Sequence, residues 1–236
     1  MRVACLGLGR MGWHIAGHLA DHSDAHDLAV FDVVDGLTGR WVEEHNGTEA
    51  DSVESAVTGA EFIVTSLPSD QELAEVATEV LPAIAEGAIW IDHSTTSAQI
   101  ACELGSGMSA VGGHFLDGPV SGGVDGARRG ALSVMVGGDE SAFARVEPLV
   151  EIYASRVRHM GPVGAGQLTK MTNQICVVGL CQALAEGLDF ASRAGLDVEN
   201  VVEAMLQGSS TSWQMENRAD KMLAGEYDFG FSTALL

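Results

Sequence analysis

Val3-Ala4-Cys5-Leu6-Gly7-Leu8-Gly9-Arg10-Met11-Gly12 decides the fold of this 236-residue chain. Four apolar residues read as a strand, three glycines follow at the spacing G-x-G-x-x-G, and an amphipathic, helix-like stretch comes next. Gly7 permits a tight turn, Gly9 lets the backbone approach a pyrophosphate, and Gly12 lets helix and strand pack closely. Leu8, Arg10 and Met11 complete the turn, whose free N–H groups at the helix start favour an anion. Asp32 lies twenty residues after Gly12 and closes the second apolar run, where a carboxylate accepts hydrogen bonds from an adenosine ribose. A carboxylate there repels a 2′-phosphate, and Val33 and Val34 offer no cation to hold one. The expected cofactor is therefore NAD, with NADP disfavoured. The alternative is a glycine-rich turn with a surface aspartate.

The same alternation continues outward from this segment. Strands are expected at Val3 to Leu6, Leu28 to Phe31, Phe62 to Ser66, Ala88 to Ile91, His114 to Leu116, Leu132 to Val136 and Arg156 to His159. Helices are expected near residues 10–21, 36–46, 69–80, 97–106 and 140–152. Strand–helix alternation predicts a parallel sheet with helices on both faces, a Rossmann-type doubly wound α/β domain. Gly161-Pro162-Val163-Gly164 punctuates the chain, and a helical pattern then runs from about Ala165 to Ala194, ending at Gly195. Asp197 to Leu206 and Ser212 to Leu223 read as further helices. The expected division is a nucleotide-binding domain over residues 1–162 and an all-helical C-terminal domain over residues 163–236.

Composition narrows the function classes. A net charge of −21 argues against nucleic acid and anionic membrane surfaces as partners. Apolar residues make up 46% of the chain, enough for a sizeable core, and no apolar run approaches the roughly 20 residues that span a bilayer. Cys5, Cys102, Cys176 and Cys181 form no Cys-x-x-Cys pair, so they read as scattered thiols of a cytoplasmic protein, with Cys5 in the core. His14, His18 and His22 recur every fourth residue, a spacing that can chelate metal. Met11, Ile15 and Leu19 already supply the buried stripe of that helix, so the histidines read as a solvated flank and no metal is expected.

Gly166-Gln167-Leu168-Thr169-Lys170-Met171-Thr172-Asn173-Gln174 carries the chemistry. On a helix Lys170, Asn173 and Gln174 share one face, which brings an amine and two carboxamides together. The chain holds only two lysines, Lys170 and Lys221. Arginine is practically never deprotonated, whereas a desolvated lysine can lose its proton near neutral pH, which suits proton transfer. The alternative is a surface lysine early on a long helix.

With these blocks in hand, the chain resembles the β-hydroxyacid dehydrogenase family. The glycine turn continues as Trp13-His14-Ile15-Ala16, Leu67-Pro68 ends the third strand, and Asp92-His93-Ser94-Thr95 follows the fourth. Asp117-Gly118-Pro119-Val120-Ser121-Gly122-Gly123 is similar to the family's substrate-binding motif, and the Lys170 block to its catalytic motif, with Gln174 where many members carry asparagine. The resemblance implies a cofactor contact from Leu67 and Pro68, and Thr95 near the nicotinamide. It implies a carboxylate nest at Ser121, Gly122 and Gly123, with Gln174 beside the substrate, and Lys170 exchanging a proton with a substrate hydroxyl as a hydride moves. Asn173 would bond the reacting oxygen or fix the lysine. The expected reaction interconverts a small 3-hydroxy acid and its semialdehyde, with 3-hydroxyisobutyrate first and tartronate semialdehyde, serine or glyoxylate-type substrates next. A non-catalytic NAD-binding protein is the rival. Trp213, Gln214, Asn217 and Arg218 are similar to family residues that border the substrate's acyl end, and Trp213 reads equally as a core anchor. The resemblance further implies a homo-oligomer at full length. The apolar ending Phe229-Gly230-Phe231-Ser232-Thr233-Ala234-Leu235-Leu236, without the family's downstream Lys-Asp pair, is expected of a truncated helical domain.

Overall fold

A computed structural model describes residues 1–22 and 27–226. The apolar ending from Phe229 onward lies outside the described residues. The chain divides into two compact units, Met1–Lys170 and Met171–Leu236.

The first unit is built on one sheet. Its strands are β1 (Arg2–Leu6), β2 (Asp27–Phe31), β3 (Thr48–Glu49), β4 (Phe62–Thr65), β5 (Ile89–Asp92), β6 (His114–Asp117), β7 (Val120–Ser121), β8 (Leu132–Gly137) and β9 (Ala154–Gly161). Its helices are α1 (Gly12–Asp21), α2 (Leu37–Glu44), α3 (Val53–Val57), α4 (Asp70–Ala83), α5 (Ala98–Ala110), α6 (Gly123–Arg128) and α7 (Glu140–Val150). The strand order is β3-β2-β1-β4-β5-β6-β8-β7, with β9 paired to β8. Strand alternation splits the apolar residues between two cores. Val3 and Cys5 of β1 join Ile15, Leu19, Val30, Val64 and Ile91 on one face. Ala4 and Leu6 join Ile63, Leu73, Trp90 and Phe115 on the other. Strands buried on both faces must be apolar throughout, which is why they read as continuous runs. Each fully buried large side chain contributes roughly 1.5–3 kcal/mol.

The expected Rossmann-type doubly wound sheet is present, with one correction. The sheet is continuously parallel from β3 through β6. β8 pairs antiparallel with both β6 and β7, and β9 then pairs parallel with β8. β6 and β7 lie on one ladder against β8, interrupted at Gly118 and Pro119, and the short connection of residues 122–131 turns the chain back into β8, too short for a parallel crossover. The elements not foreseen, β3, α3, β7 and α6, are two to six residues long and carry no full period of pattern.

α8 (Ala165–Arg193) begins in the first unit and continues into the second, where α9 (Val198–Met205) and α10 (Trp213–Ala224) follow. Leu184, Leu188, Val202, Met215 and Ala219 form a small core there. The expectation that no segment is apolar enough to span a bilayer needs correcting for α8. Its 29 residues contain an 18-residue window of mean hydropathy 1.4, which meets the length and composition of a span. The apolar residues between Ile175 and Ala191 carry that average, interrupted by Gln182, Glu186 and Asp189. Length and composition alone do not separate a span from a helix packed on protein.

Candidate active site

The glycine turn lies between β1 and α1. Gly7 has φ +90°, and a Cβ added there would lie 2.5 Å from the Ser66 carbonyl oxygen. A Cβ on Gly12 would lie 1.9 Å from the Gly7 carbonyl oxygen, so helix and turn meet at a distance only glycine allows. At Gly9 nothing lies within 4 Å of that position, leaving the peptide open to a ligand. Gly9 and Arg10 are exposed, Met11 is half-buried, and Leu8 is buried as a peg under the turn. Met11 is the N-cap of α1 and makes no side-chain capping bond; of the first-turn N–H groups, Trp13 donates to the Gly9 carbonyl at 3.0 Å and His14 to the Met11 carbonyl at 3.1 Å. Asp32 follows β2; its Oδ2 accepts from Leu8 N–H at 2.6 Å and its Oδ1 from Val34 N–H at 2.8 Å. A carboxylate has about four lone-pair sites, so each oxygen keeps one for a ribose hydroxyl. An open peptide, a helix start without a side-chain cap and a half-satisfied carboxylate together fit a dinucleotide.

Leu67 and Pro68 follow β4, and Leu67 N–H donates to Ser94 Oγ at 2.8 Å, tying that bend to the segment after β5. Thr95 is exposed between buried Ser94 and buried Thr96.

Lys170 lies in the second turn of α8 and is only 9% exposed. Its Nζ donates to the Val120 carbonyl at 2.9 Å. Burial lowers its pKa from the ordinary lysine value by disfavouring the charged form. Val120 directly precedes Ser121, which is half-buried, and Gly122 and Gly123, which are exposed and have φ of +128° and +61°. The structure therefore brings Lys170 to the 120–123 segment across 50 residues of sequence. Asn173 and Gln174 lie on the same helix beyond the unit boundary, both half-buried, and the Asn173 amide donates to Gln174 Oε1 at 3.1 Å.

Several polar residues at the strand ends were not weighed in the sequence. Asp92 is completely buried. Its Oδ1 accepts from Thr65 Oγ1 and Ser94 Oγ, each at 2.6 Å, while Oδ2 has no partner among the described residues. Burial, opposed by the bonds from Ser94 and Thr65, raises its pKa to about 6. His93 has a pKa lowered to about 4 by burial, so it is neutral at pH 7. The Gly118 carbonyl can only accept, so Nδ1 of His93 carries the proton and Nε2 accepts from Tyr153 Oη at 2.8 Å. Asp117, raised in pKa by burial, accepts from Gly164 N–H at 2.7 Å and Gln167 N–H at 2.8 Å. Gln167 in turn bonds Ser94 and Thr96. The one available signal was position: Asp92 and Asp117 each end an apolar strand on the edge where the turns gather.

Other expectations change. Trp213 is 57% exposed, so it is not a core anchor; Arg218 lies over its ring at 5.2 Å. His14 and His18 are half-buried rather than a solvated flank, and His18 Nε2 bonds the Ala127 carbonyl of α6 at 2.9 Å. Cys5 is in the core, where burial pushes its thiol up to about 12.

Residues 2–161 match the NAD-binding domain of 6-phosphogluconate dehydrogenase, and residues 164–236 the NAD-binding region of NADP-dependent 3-hydroxyisobutyrate dehydrogenase. The chain is 44% identical to an uncharacterized oxidoreductase of Shewanella frigidimarina, over 98% of this chain and 80% of the relative. It is 36% identical to 2-hydroxy-3-oxopropionate reductase of Escherichia coli, over the whole of this chain and 80% of the relative. Mycobacterium tuberculosis 3-hydroxyisobutyrate dehydrogenase, solved with L-serine, superposes with a TM-score of 0.90 at 31% identity, covering 99% of this chain and 82% of that one. With the glycine cradle, the buried lysine and these likenesses together, the chain belongs to the β-hydroxyacid dehydrogenase family and is an NAD(P)-binding oxidoreductase.

Proposed function

We propose that the protein oxidises the primary alcohol of a small 3-hydroxy acid to its semialdehyde with NAD, or runs the reverse, and that Lys170 is the general base. The carrying observation is the buried Lys170 amine, with lowered pKa, bonded beside the Ser121–Gly123 segment. When bound, the cofactor accepts the hydride that leaves the carbinol carbon, with both electrons of that bond. Neutral Lys170 takes the hydroxyl proton, so the substrate loses two hydrogens and becomes an aldehyde, and the lysine becomes an ammonium. Asn173 bonds the reacting oxygen or steadies the lysine. Ser121, Gly122 and Gly123 hold the substrate carboxylate through a hydroxyl and backbone N–H groups, and Gln174 lines the substrate. Gly7 to Gly12, Leu67, Pro68 and Thr95 hold the cofactor.

Asp32 favours NAD over NADP, because its carboxylate suits a ribose 2′-hydroxyl and repels a phosphate, with exposed Val33 and Val34 beside it. The substrate class is supported by the M. tuberculosis structure with L-serine and by the E. coli reductase, both concerned with three-carbon acids that carry oxygen at C3. Among these acids 3-hydroxyisobutyrate is the first choice. We assign residues 1–162 to cofactor binding and residues 163–236 to substrate and subunit contacts. Exposed Ile175 and Phe190 on α8 favour a homo-oligomer, and the free thiols of Cys102, Cys176 and Cys181 favour the cytoplasm. The test is NADH formation over a panel of 3-hydroxy acids with NAD and NADP, repeated with Lys170→Ala. Undiminished turnover in that variant would remove the lysine from the mechanism.

A further inference from the structure

We propose that Gln167 is a positioning residue that locks the Ser94–Thr96 segment to the helical turn carrying Lys170. The inference rests on the proposed roles of Lys170 and Thr95. Gln167 is completely buried. Its Nε2 donates to the Ser94 carbonyl at 2.9 Å, and its Oε1 accepts from Thr96 N–H at 3.2 Å. One carboxamide therefore engages the backbone on both sides of Thr95 and leaves Thr95 as the exposed residue between two buried ones.

The other end of the clamp is equally fixed. Gln167 N–H donates to Asp117 Oδ2 at 2.8 Å, and Gly164 N–H to Asp117 Oδ1 at 2.7 Å. A Cβ on the neighbouring Gly166 would lie 2.4 Å from the carbonyl oxygens of Asp117 and Met135, so the helix start rests directly on the strand ends. Lys170 is one turn farther along, on the same face as Gln167. The first N–H groups of the helix are satisfied without the Gln167 side chain: Asp117 accepts from Gly164 and Gln167, and the Pro162 carbonyl accepts from Ala165 N–H at 2.9 Å. Among the described residues the Gln167 side chain bonds only the Ser94–Thr96 backbone, so its contribution is the spacing between that segment and the lysine. A buried carboxamide that lost either partner would be left unsatisfied, which holds both contacts in place.

The test uses the full chain carrying Gln167→Met, which keeps the length and apolar volume of the side chain and removes both bonds. In ligand-free protein, the Thr96 amide should exchange its hydrogen at least about tenfold faster than in the parent. With NAD and the 3-hydroxy acid that the panel turns over fastest, kcat should fall roughly 10- to 100-fold while KM for the acid stays within about threefold. The primary deuterium isotope effect on kcat, with deuterium on the carbinol carbon, should rise as hydride transfer becomes slower. Gln167→Glu keeps the acceptor for Thr96 N–H and loses the donor to Ser94, so it should fall between parent and Met variant; it carries the same measurements if the Met variant does not fold. Parent-like exchange and kcat in these variants, even with a lower Tm, would overturn the proposal. Lys170→Ala separates it from the catalytic reading: Thr96 exchange should remain parent-like there while turnover is lost. Should Lys170→Ala keep its turnover, the lysine reading fails, and Thr96 exchange in Gln167→Met still decides whether the clamp exists.

Discussion

The glycine turn at residues 7–12 and the pocket around Lys170 hold their chemistry by different means. The turn is contiguous, its polar groups are those of the backbone, and its geometry depends on the absence of side chains at Gly7 and Gly12, while Gly9 leaves its peptide open. The surroundings of Lys170 centre on one side chain whose pKa is lowered by burial, and they are assembled from β6, β7 and the start of α8. Damage to the turn therefore acts through sterics, whereas damage to the pocket acts through proton affinity and placement.

The largest expected effect sharpens that contrast. Gly12→Ala places a methyl 1.9 Å from the Gly7 carbonyl oxygen, and backbone cannot move aside cheaply. NAD affinity measured calorimetrically should fall by more than about 100-fold, or the chain should fail to give folded protein by circular dichroism. Parent-like affinity would mean that the close approach at Gly12 plays no part in binding.

Next comes the pocket itself. Lys170→Ala should lower kcat by roughly 10²- to 10⁴-fold, the range of a lost general acid–base group, while NAD affinity stays within about threefold. The direction of the Lys170 shift also fixes a pH dependence. Oxidation needs the neutral amine, so its rate should rise with pH and level off below the ordinary lysine value, while reduction, which needs the ammonium, should fall over the same interval. A rising limb in both directions would break the assignment.

A third difference lies between two carboxylates. Each oxygen of Asp32 at the turn accepts one N–H, whereas Asp92 is buried with one oxygen unpartnered among the described residues and a pKa raised to about 6. A carboxyl whose pKa is raised on folding contributes stability that is fully present below the unfolded value near 4 and is lost as pH rises through about 6. Asp92→Asn should therefore gain stability over the parent above pH 6, on the order of 2–3 kcal/mol, and little near pH 4. Denaturant midpoints at pH 5 and pH 8 measure this, and an equal effect at both would remove the titration from the account.

The smallest expected effect is at Asp32. Asp32→Ala removes one ribose acceptor and the acceptor of Leu8 N–H in the glycine turn, so NAD affinity should weaken about tenfold and the discrimination against NADP should shrink. A parent preference for NADP would reverse the reading of this carboxylate.

The asymmetry between the two regions also explains what could be read early. Local steric rules wrote Gly7, Gly9 and Gly12 into the chain as spacing, and the strands of the first unit as apolar runs, because both faces of the sheet are covered. The antiparallel turn through Val120–Ser121 left no such trace, since two residues hold no period and the pairing partner lies beyond them. Trp213 illustrates the opposite failure: an aromatic residue implies burial only on average, and here it opens α10 at 57% exposure with Arg218 on its face.

By itself, the sequence determined the alternation that makes the sheet, the cofactor turn and the presence of an amine where arginine is otherwise the rule. Spacing and residue type suffice for those, because they act within a few bonds or one helical turn. Only the tertiary structure decided that the Lys170 amine is desolvated against Val120, that Asp92 keeps an unpartnered oxygen, and that Gln167 joins the Thr95 segment to the lysine turn. Desolvation and long-range hydrogen bonds depend on what folds over a residue, and that neighbour comes from 50 or more positions away in the chain.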